Sequence, residues 1–237
     1  MRIGIIQSCY VPWRGFFDFI DSVDLFVIFD DVRYPMGRSW RNRNQVKTAK
    51  GPKWITVPVV SETRHGPIDR VVIADDVGPW REEHLRSLHE SLHASAFYHD
   101  ALDIWEEGVS ARDNYLSALN VRLIRLICDY LKINTPIAFA RDFKATGAKT
   151  DRLIELCRKT GATCYLSGPT AKGYIDERSF LDAGIALEYK TYVYPAYPQP
   201  GGAFMGSVSV LDLIANCGPD SRKFLKSTAP SEIAVTP

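Results

Sequence analysis

The chain has no apolar run near the roughly 18 residues that a membrane helix needs, and Asp18, Asp21 and Asp24 interrupt its first hydrophobic region. It has no CxxC pair, and its cysteines (Cys9, Cys128, Cys157, Cys164 and Cys217) are odd in number. A disulfide framework or a zinc ribbon is a poor fit, and reduced thiols are expected. The first residues lack the basic, apolar and small-residue series of a signal peptide, so a soluble, cytoplasmic protein is expected. No internal repeat and no low-complexity linker divides the 237 residues. A formal net charge of +1 argues against a wide nucleic-acid footprint. One stretch departs from this even balance. Between Val32 and Lys53 stand seven Arg or Lys residues and no Asp or Glu.

With 46% hydrophobic residues the chain can bury a full core. Met1–Ile6 reads as a strand, followed by a polar loop, Gln7–Gly15, and by Phe16, Phe17, Ile20 and Val23 at helical spacing. A second strand, Leu25–Phe29, runs into Asp30-Asp31. Another strand is expected over Trp54–Val60, a helix from Pro79 to about Ala94, and a longer one from about Asn114 to Leu131. Strands at 137–140, 164–166 and 185–189 then alternate with helices at 150–159 and 171–182. Such alternation predicts a single α/β domain over residues 1–226, a mostly parallel sheet flanked by helices in a Rossmann-like three-layer arrangement. Ser209 and Asp212 have capping-box spacing for a last helix, and residues 227–237 read as a flexible tail.

The chemistry-bearing residues concentrate near the amino terminus. A loop at the carboxyl end of a first strand is where an α/β sheet opens its ligand crevice. Cys9 in that loop is a candidate nucleophile if a helix dipole stabilises its thiolate, against the plainer role of a small buried thiol. Gln7, Ser8, Tyr10 and Trp13 are candidate substrate contacts. Asp30 and Asp31 point to opposite faces if both belong to the strand, and Asp31, nearer the loop, is the better candidate base. Arg38, Arg41 and Arg43, with Trp40, Asn42 and Asn44, combine planar cations, amides and a stacking face suited to phosphate. Ser167, Gly168 and Lys172 form a strand-to-helix turn able to present N–H groups, and Tyr197 with Gln199 belongs to a possible lid. His89-Glu90-Ser91-Leu92-His93 matches the HExxH zinc pattern, but no third ligand follows at a suitable spacing, so no metal site is expected.

Several longer motifs resemble the WbqC-like family of bacterial proteins. They are QSCYVPWRGFFDFIDSVDLFVIFDDVRY, then SWRNRN and KWITVPV, and further on CRKTGATCYLSGPTAKGYID, YPAYPQ and SVSVLDLIANCG. The resemblance spans residues 1–226 and implies a setting in surface-polysaccharide or secondary-metabolite biosynthesis. It also implies transfer of acyl or aminoacyl groups to an amine of a sugar or metabolite. The family pattern favours Gln7, Tyr10 and Asp30-Asp31 over Cys9 and does not include His89 and His93. The expected function is therefore that of an acyl- or aminoacyltransferase, with a phosphate-bearing small molecule or an acyl carrier protein as partner. The alternatives are a nucleotidyl- or adenylyltransferase-like enzyme and a non-catalytic carrier-protein or glycan-binding module. Cofactor and oligomeric state are not legible in the residues.

Overall fold

Ile3, Ile5, Val27, Phe26 and Ile28 are almost completely buried, as expected of strands covered on both faces. They lie in the middle of the sheet in a computed structural model that describes residues 1–37 and 39–237. Strands β1 (Arg2–Ile6), β2 (Leu25–Ile28), β5 (Ile137–Phe139), β6 (Cys164–Ser167), β7 (Ala186–Tyr189) and β8 (Glu232–Val235) form one six-stranded sheet. Its order is β5-β2-β1-β6-β7-β8, parallel throughout except for β8, which runs antiparallel to β7. The expected three-layer α/β fold with a mostly parallel sheet is present. Strands β3 (Arg43–Thr48) and β4 (Gly51–Thr56) form a separate antiparallel hairpin.

The pleat sorts side chains onto two cores. Ile3, Ile5, Val27, Tyr165 and Leu187 pack with Leu153, Leu156 and Cys157 of α5 (Lys149–Thr160) and Phe180 of α6 (Glu177–Asp182). Phe26, Ile28 and Leu166 face the other way, toward Phe16, Phe17 and Phe19 of α1 (Arg14–Ile20). The same larger core takes in α2 (Trp80–Leu92), α3 (Tyr98–Ser110), α4 (Leu116–Tyr130) and α7 (Val210–Cys217). Gly4 permits the close approach of α1 to β1, since a Cβ there would lie 2.3 Å from the Phe19 ring.

Several local expectations differ from the structure. The strand expected over Trp54–Val60 is instead Gly51–Thr56, and it pairs with a strand from the basic block. Arg43–Thr48 is a strand whose Val46 is buried, as is Ile55 on its partner, and the two are joined through Ala49-Lys50. Helix α3 was hidden by Asp103, Glu106 and Glu107, although Ala101, Ile104, Trp105 and Val109 form its buried stripe. The expected helix 171–182 is a short 3-10 turn, Pro169–Gly173, followed by α6, whose first turn is capped by Asp176 accepting from the Arg178 amide at 3.1 Å. Ser209 caps α7, its hydroxyl accepting from Leu211 N–H at 3.3 Å, but Asp212 does not complete a capping box. Its carboxylate instead accepts from Tyr197 and Gln199 at 2.7 and 2.6 Å. The segment 227–237, expected as a flexible tail, contains a strand. Residues 232–235 supply β8, and Lys172 forms an ion pair with Glu232.

Candidate functional site

Chain order reverses at β1. From β1 the chain passes to β2 and then β5 on one side, then returns to β6 and β7 on the other. In an open α/β sheet the crevice outside the carboxyl ends at this switch point is the preferred ligand site. A cleft of about 730 Å³ lies there. Gln7, Phe29, Asp31, Arg33, Arg41, Ser167 and Gly168 line it, together with Gly147, Ala148, Lys149 and Arg152 at the start of α5.

The loop after β1 is held rigidly by polar groups. Ser8 N–H donates to Asp30 Oδ1 at 2.8 Å, and Asn120 Nδ2 of α4 donates to Ser8 Oγ at 3.1 Å and to the Arg41 carbonyl at 2.8 Å. Asn44 Nδ2 donates to the Tyr10 and Val11 carbonyls at 3.2 and 2.8 Å. Asn44 thus satisfies backbone acceptors that the turn leaves inside the protein. Tyr10 is fully buried, its hydroxyl accepting from Trp105 Nε1 at 2.8 Å and lying 3.0 Å from His84 Nδ1. Ser8 and Tyr10, both fully buried, therefore build the loop and do not line the cleft.

His84 carries a testable consequence. Burial lowers its pKa from 6.5 to about 4, so it is neutral in the folded protein. The unfolded chain binds the proton first, and the stability contributed by neutral His84 is lost as pH falls from about 6.5 toward 4. The loss reaches about 3 kcal/mol at most. We expect His84→Gln to flatten the acid limb of a denaturant-stability profile between those pH values. An unchanged acid limb would show that His84 is not the group responsible.

Asp30 and Asp31 do face opposite ways, although both lie just past β2. Asp30 turns toward α4, where Ser117 Oγ donates to its Oδ2, and burial raises its pKa against the opposing hydrogen bonds from Ser117 and Ser8 and the charge of Arg41. Its two oxygens are occupied. Asp31 turns toward α5, where Arg152 Nη2 donates to its Oδ2 at 2.6 Å, while Oδ1 is buried without a hydrogen-bond partner. Of the two, Asp31 is the carboxylate in the cleft.

Arg41 borders both the cleft and a smaller cavity of about 320 Å³ lined by Cys9, Pro12, Trp13, Phe16 and Trp40. Its Nη1 donates to the Gln7 and Ser8 carbonyls at 2.9 and 3.2 Å and to Cys9 Sγ at 2.9 Å. Burial raises the Cys9 pKa, and the charge of Asp30 adds to this while Arg41 opposes it. Cys9 is therefore a protonated thiol near neutral pH, a poor starting point for a nucleophile.

At the start of α5, N-cap Ala148 makes no side-chain cap to the first-turn amides, a helix end that favours an anion, while the Thr146 and Gly147 amides before it are taken by Glu155 Oε2 at 2.8 and 3.0 Å. Arg33 and Lys149 stand in the same cleft with no carboxylate partner among the described residues. Arg33, Lys149 and Arg152 were not singled out as ligand contacts in the sequence. Gly147-Ala148 before the apolar stripe of α5 was the available signal.

The other expected contacts lie elsewhere. Arg43 stacks on Trp54 with its guanidinium 3.8 Å from the ring centre, and Trp40 packs on the same indole at 5.1 Å. Asn42 donates to the Val57 carbonyl and accepts from the Tyr34 hydroxyl, both at 2.9 Å. Tyr197 and Gln199 donate to Asp212, and Gln199 also accepts from Lys47 at 3.0 Å. Lys172 is held at Glu232. Arg38 lies outside the described residues. His89 and His93 stack 5.3 Å apart, with their Nδ1 atoms near the Tyr98 hydroxyl and the His89 carbonyl. No metal-binding cluster of three or more His, Cys, Asp or Glu occurs among the described residues.

No helix among the described residues is long and apolar enough to cross a membrane. No solved structure matches the chain. An uncharacterized protein of Mycobacterium tuberculosis is 41% identical over 229 residues, covering 95% of this chain and 97% of that one. The model of the WbqC-like protein family matches residues 7–224, which include the cleft loop, both aspartates and the start of α5, and the chain belongs to that family.

Proposed function

We propose that the cleft catalyses transfer of an acyl or aminoacyl group from a phosphate-bearing thioester to an amine of a sugar or small metabolite. The observation that carries this reading is the meeting of two features in one cleft. One is an anion seat, made by the uncapped start of α5 with Arg33, Lys149 and Arg152. The other is the Asp31 carboxylate, with one oxygen fixed by Arg152 and the other unpartnered. The phosphates of the donor lie against the cations, which places its thioester near Asp31. The acceptor amine attacks the carbonyl carbon as Asp31 takes its proton. A C–N bond forms, the C–S bond breaks and the thiolate leaves. The surface-polysaccharide or secondary-metabolite setting associated with the family is consistent with an amino-sugar acceptor.

Arg33→Ala with Lys149→Ala tests the anion seat. Neither side chain has a carboxylate partner among the described residues, so the fold should tolerate both changes. Affinity for a coenzyme A thioester, read by calorimetry, should fall by about 1.5–3 kcal/mol for each charge-assisted hydrogen bond lost, and the remaining binding should depend less on salt. Unaltered affinity would remove the seat from this reading. Incubation with thioester and amino-sugar nucleotide, followed by mass spectrometry, separates the reactions. A product heavier by one acyl unit supports transfer, and pyrophosphate release from added ATP supports nucleotidyl chemistry instead.

A further inference from the structure

A third cavity, of about 640 Å³, lies on the other side of the Asp30-Asp31 segment. Ser117, which lines it, is the residue that donates to Asp30. Its wall is α4, with Val121, Arg122 and Arg125, and its ends are the Asp69-Arg70 turn and the exit of β5 at Phe139 and Arg141. Four arginines border the groove. Arg122 is held by Asp113 in a two-pronged pair at 2.9 and 3.0 Å, and Arg141 lies 3.3 Å from Asp69 Oδ2. Arg70 and Arg125 are exposed and have no carboxylate partner among the described residues.

Two further features restrict what fits. Tyr115, 42% exposed, presents a ring at the groove. Asp69, only 10% exposed, has a buried Oδ1 with no hydrogen-bond partner. A lone acceptor oxygen inside a basic groove repels bare phosphate but satisfies a hydroxyl or amino donor. Unpaired arginines attract phosphate, and an aromatic face accepts a planar ring. The volume lies in the range of small-molecule sites.

We propose that this groove binds a nucleoside phosphate, with its phosphates at Arg70 and Arg125, its base against Tyr115 and a ribose or base donor at Asp69 Oδ1. The groove is separate from the cleft, so the inference does not depend on the transfer reaction. A bare polyanion is disfavoured by Asp69, and a long nucleic acid by the short span of the groove and the near-neutral chain.

Calorimetry with ATP, UTP and inorganic tripolyphosphate as probes tests it. ATP or UTP should bind the wild-type protein, and Arg70→Ala with Arg125→Ala should weaken that binding by about 150-fold or more, the scale of two or more lost charged contacts. Tyr115→Ala should weaken nucleotide but not tripolyphosphate. Asp69→Asn should separate the probes, weakening nucleotide while strengthening tripolyphosphate. Thermal melting confirms that each variant is folded. Arg33→Ala with Lys149→Ala, in the cleft, should leave the Arg70- and Arg125-dependent binding in place. The inference is overturned if neither nucleotide binds at millimolar concentration, or if binding survives loss of Arg70 and Arg125. It is equally overturned if tripolyphosphate binds as tightly as ATP, or if an RNA oligomer binds through these arginines far more tightly than either nucleotide.

Discussion

Asp31→Asn should lower the rate of acyl transfer to an amino-sugar acceptor by about 10²–10⁴-fold, the usual contribution of a positioned base. The amide keeps the volume of the carboxylate, and its single oxygen, turned to the position of Oδ2, can still accept from Arg152, where the present distance is 2.6 Å. What it loses is the ability to take a proton from the amine. Binding of the thioester should change far less than the rate, because the anion seat at the start of α5 remains. Cys9→Ser should keep most of the activity, since the buried thiol is held in its protonated form and its sulfur already accepts from Arg41. Rates measured by product mass under saturating donor would distinguish the two. Full activity in Asp31→Asn would sink the base assignment, and an acyl adduct on Cys9, trapped by denaturation and located by peptide mapping, would replace it with a covalent route. The analogous change at Asp30 is a different experiment. Asp30 anchors Ser8 N–H and Ser117, so its replacement would disturb the loop as well as any chemistry.

This division between neighbouring aspartates shows how far the sequence could be read. The apolar runs of β1, β2 and β6 and the stripes of α4 and α5 disclosed the parallel sheet, because strands and helices buried on a defined face carry their period in the residues. The same reading placed a crevice after β1 and set Asp30 and Asp31 on opposite sides. It could not say which side was the cleft, since that depends on α4 and α5, which arrive about 85 and 120 residues later. The basic block divides for a related reason. Arg41 and Arg43 are two residues apart, yet Arg43 belongs to a hairpin and stacks on Trp54, while Arg41 borders the cleft. Tyr10 and Asn44 have the chemistry of ligand contacts, but the fold uses them to satisfy buried polar groups. Their family match reflects the loop they shape as readily as a molecule they touch. The Arg33–Lys149–Arg152 seat is assembled from segments distant in sequence and has no local motif.

The largest stability effect should come from a pair far from these residues. Asp18 is fully buried in α1, and Lys190, 7% exposed just after β7, stands 2.9 Å from its Oδ2. Tyr194 Oη and Ser227 N–H also donate to that oxygen, at 2.8 and 3.0 Å. Removing the cation leaves a buried carboxylate without its countercharge, which costs about 3–5 kcal/mol in comparable pairs. The two remaining donors place Lys190→Met near the lower end, a fall in melting temperature of roughly 6–12 °C for a chain of this size. Asp18→Asn in the same chain should recover most of that loss, because the amide needs no countercharge and can still accept from Tyr194 and Ser227. The double variant distinguishes the unpaired charge from the lost packing of the lysine stem. Equal destabilisation of Lys190→Met and the double variant would assign the effect to packing. The consequence should reach the smaller cavity. Tyr192 and Tyr194 meet the Trp13 ring edge-on at 5.2 and 5.8 Å, and Trp13 lines the pocket beside Cys9. Loosening the segment after β7 should therefore increase the accessibility of Trp13 to a fluorescence quencher in Lys190→Met, and the second substitution should reverse it.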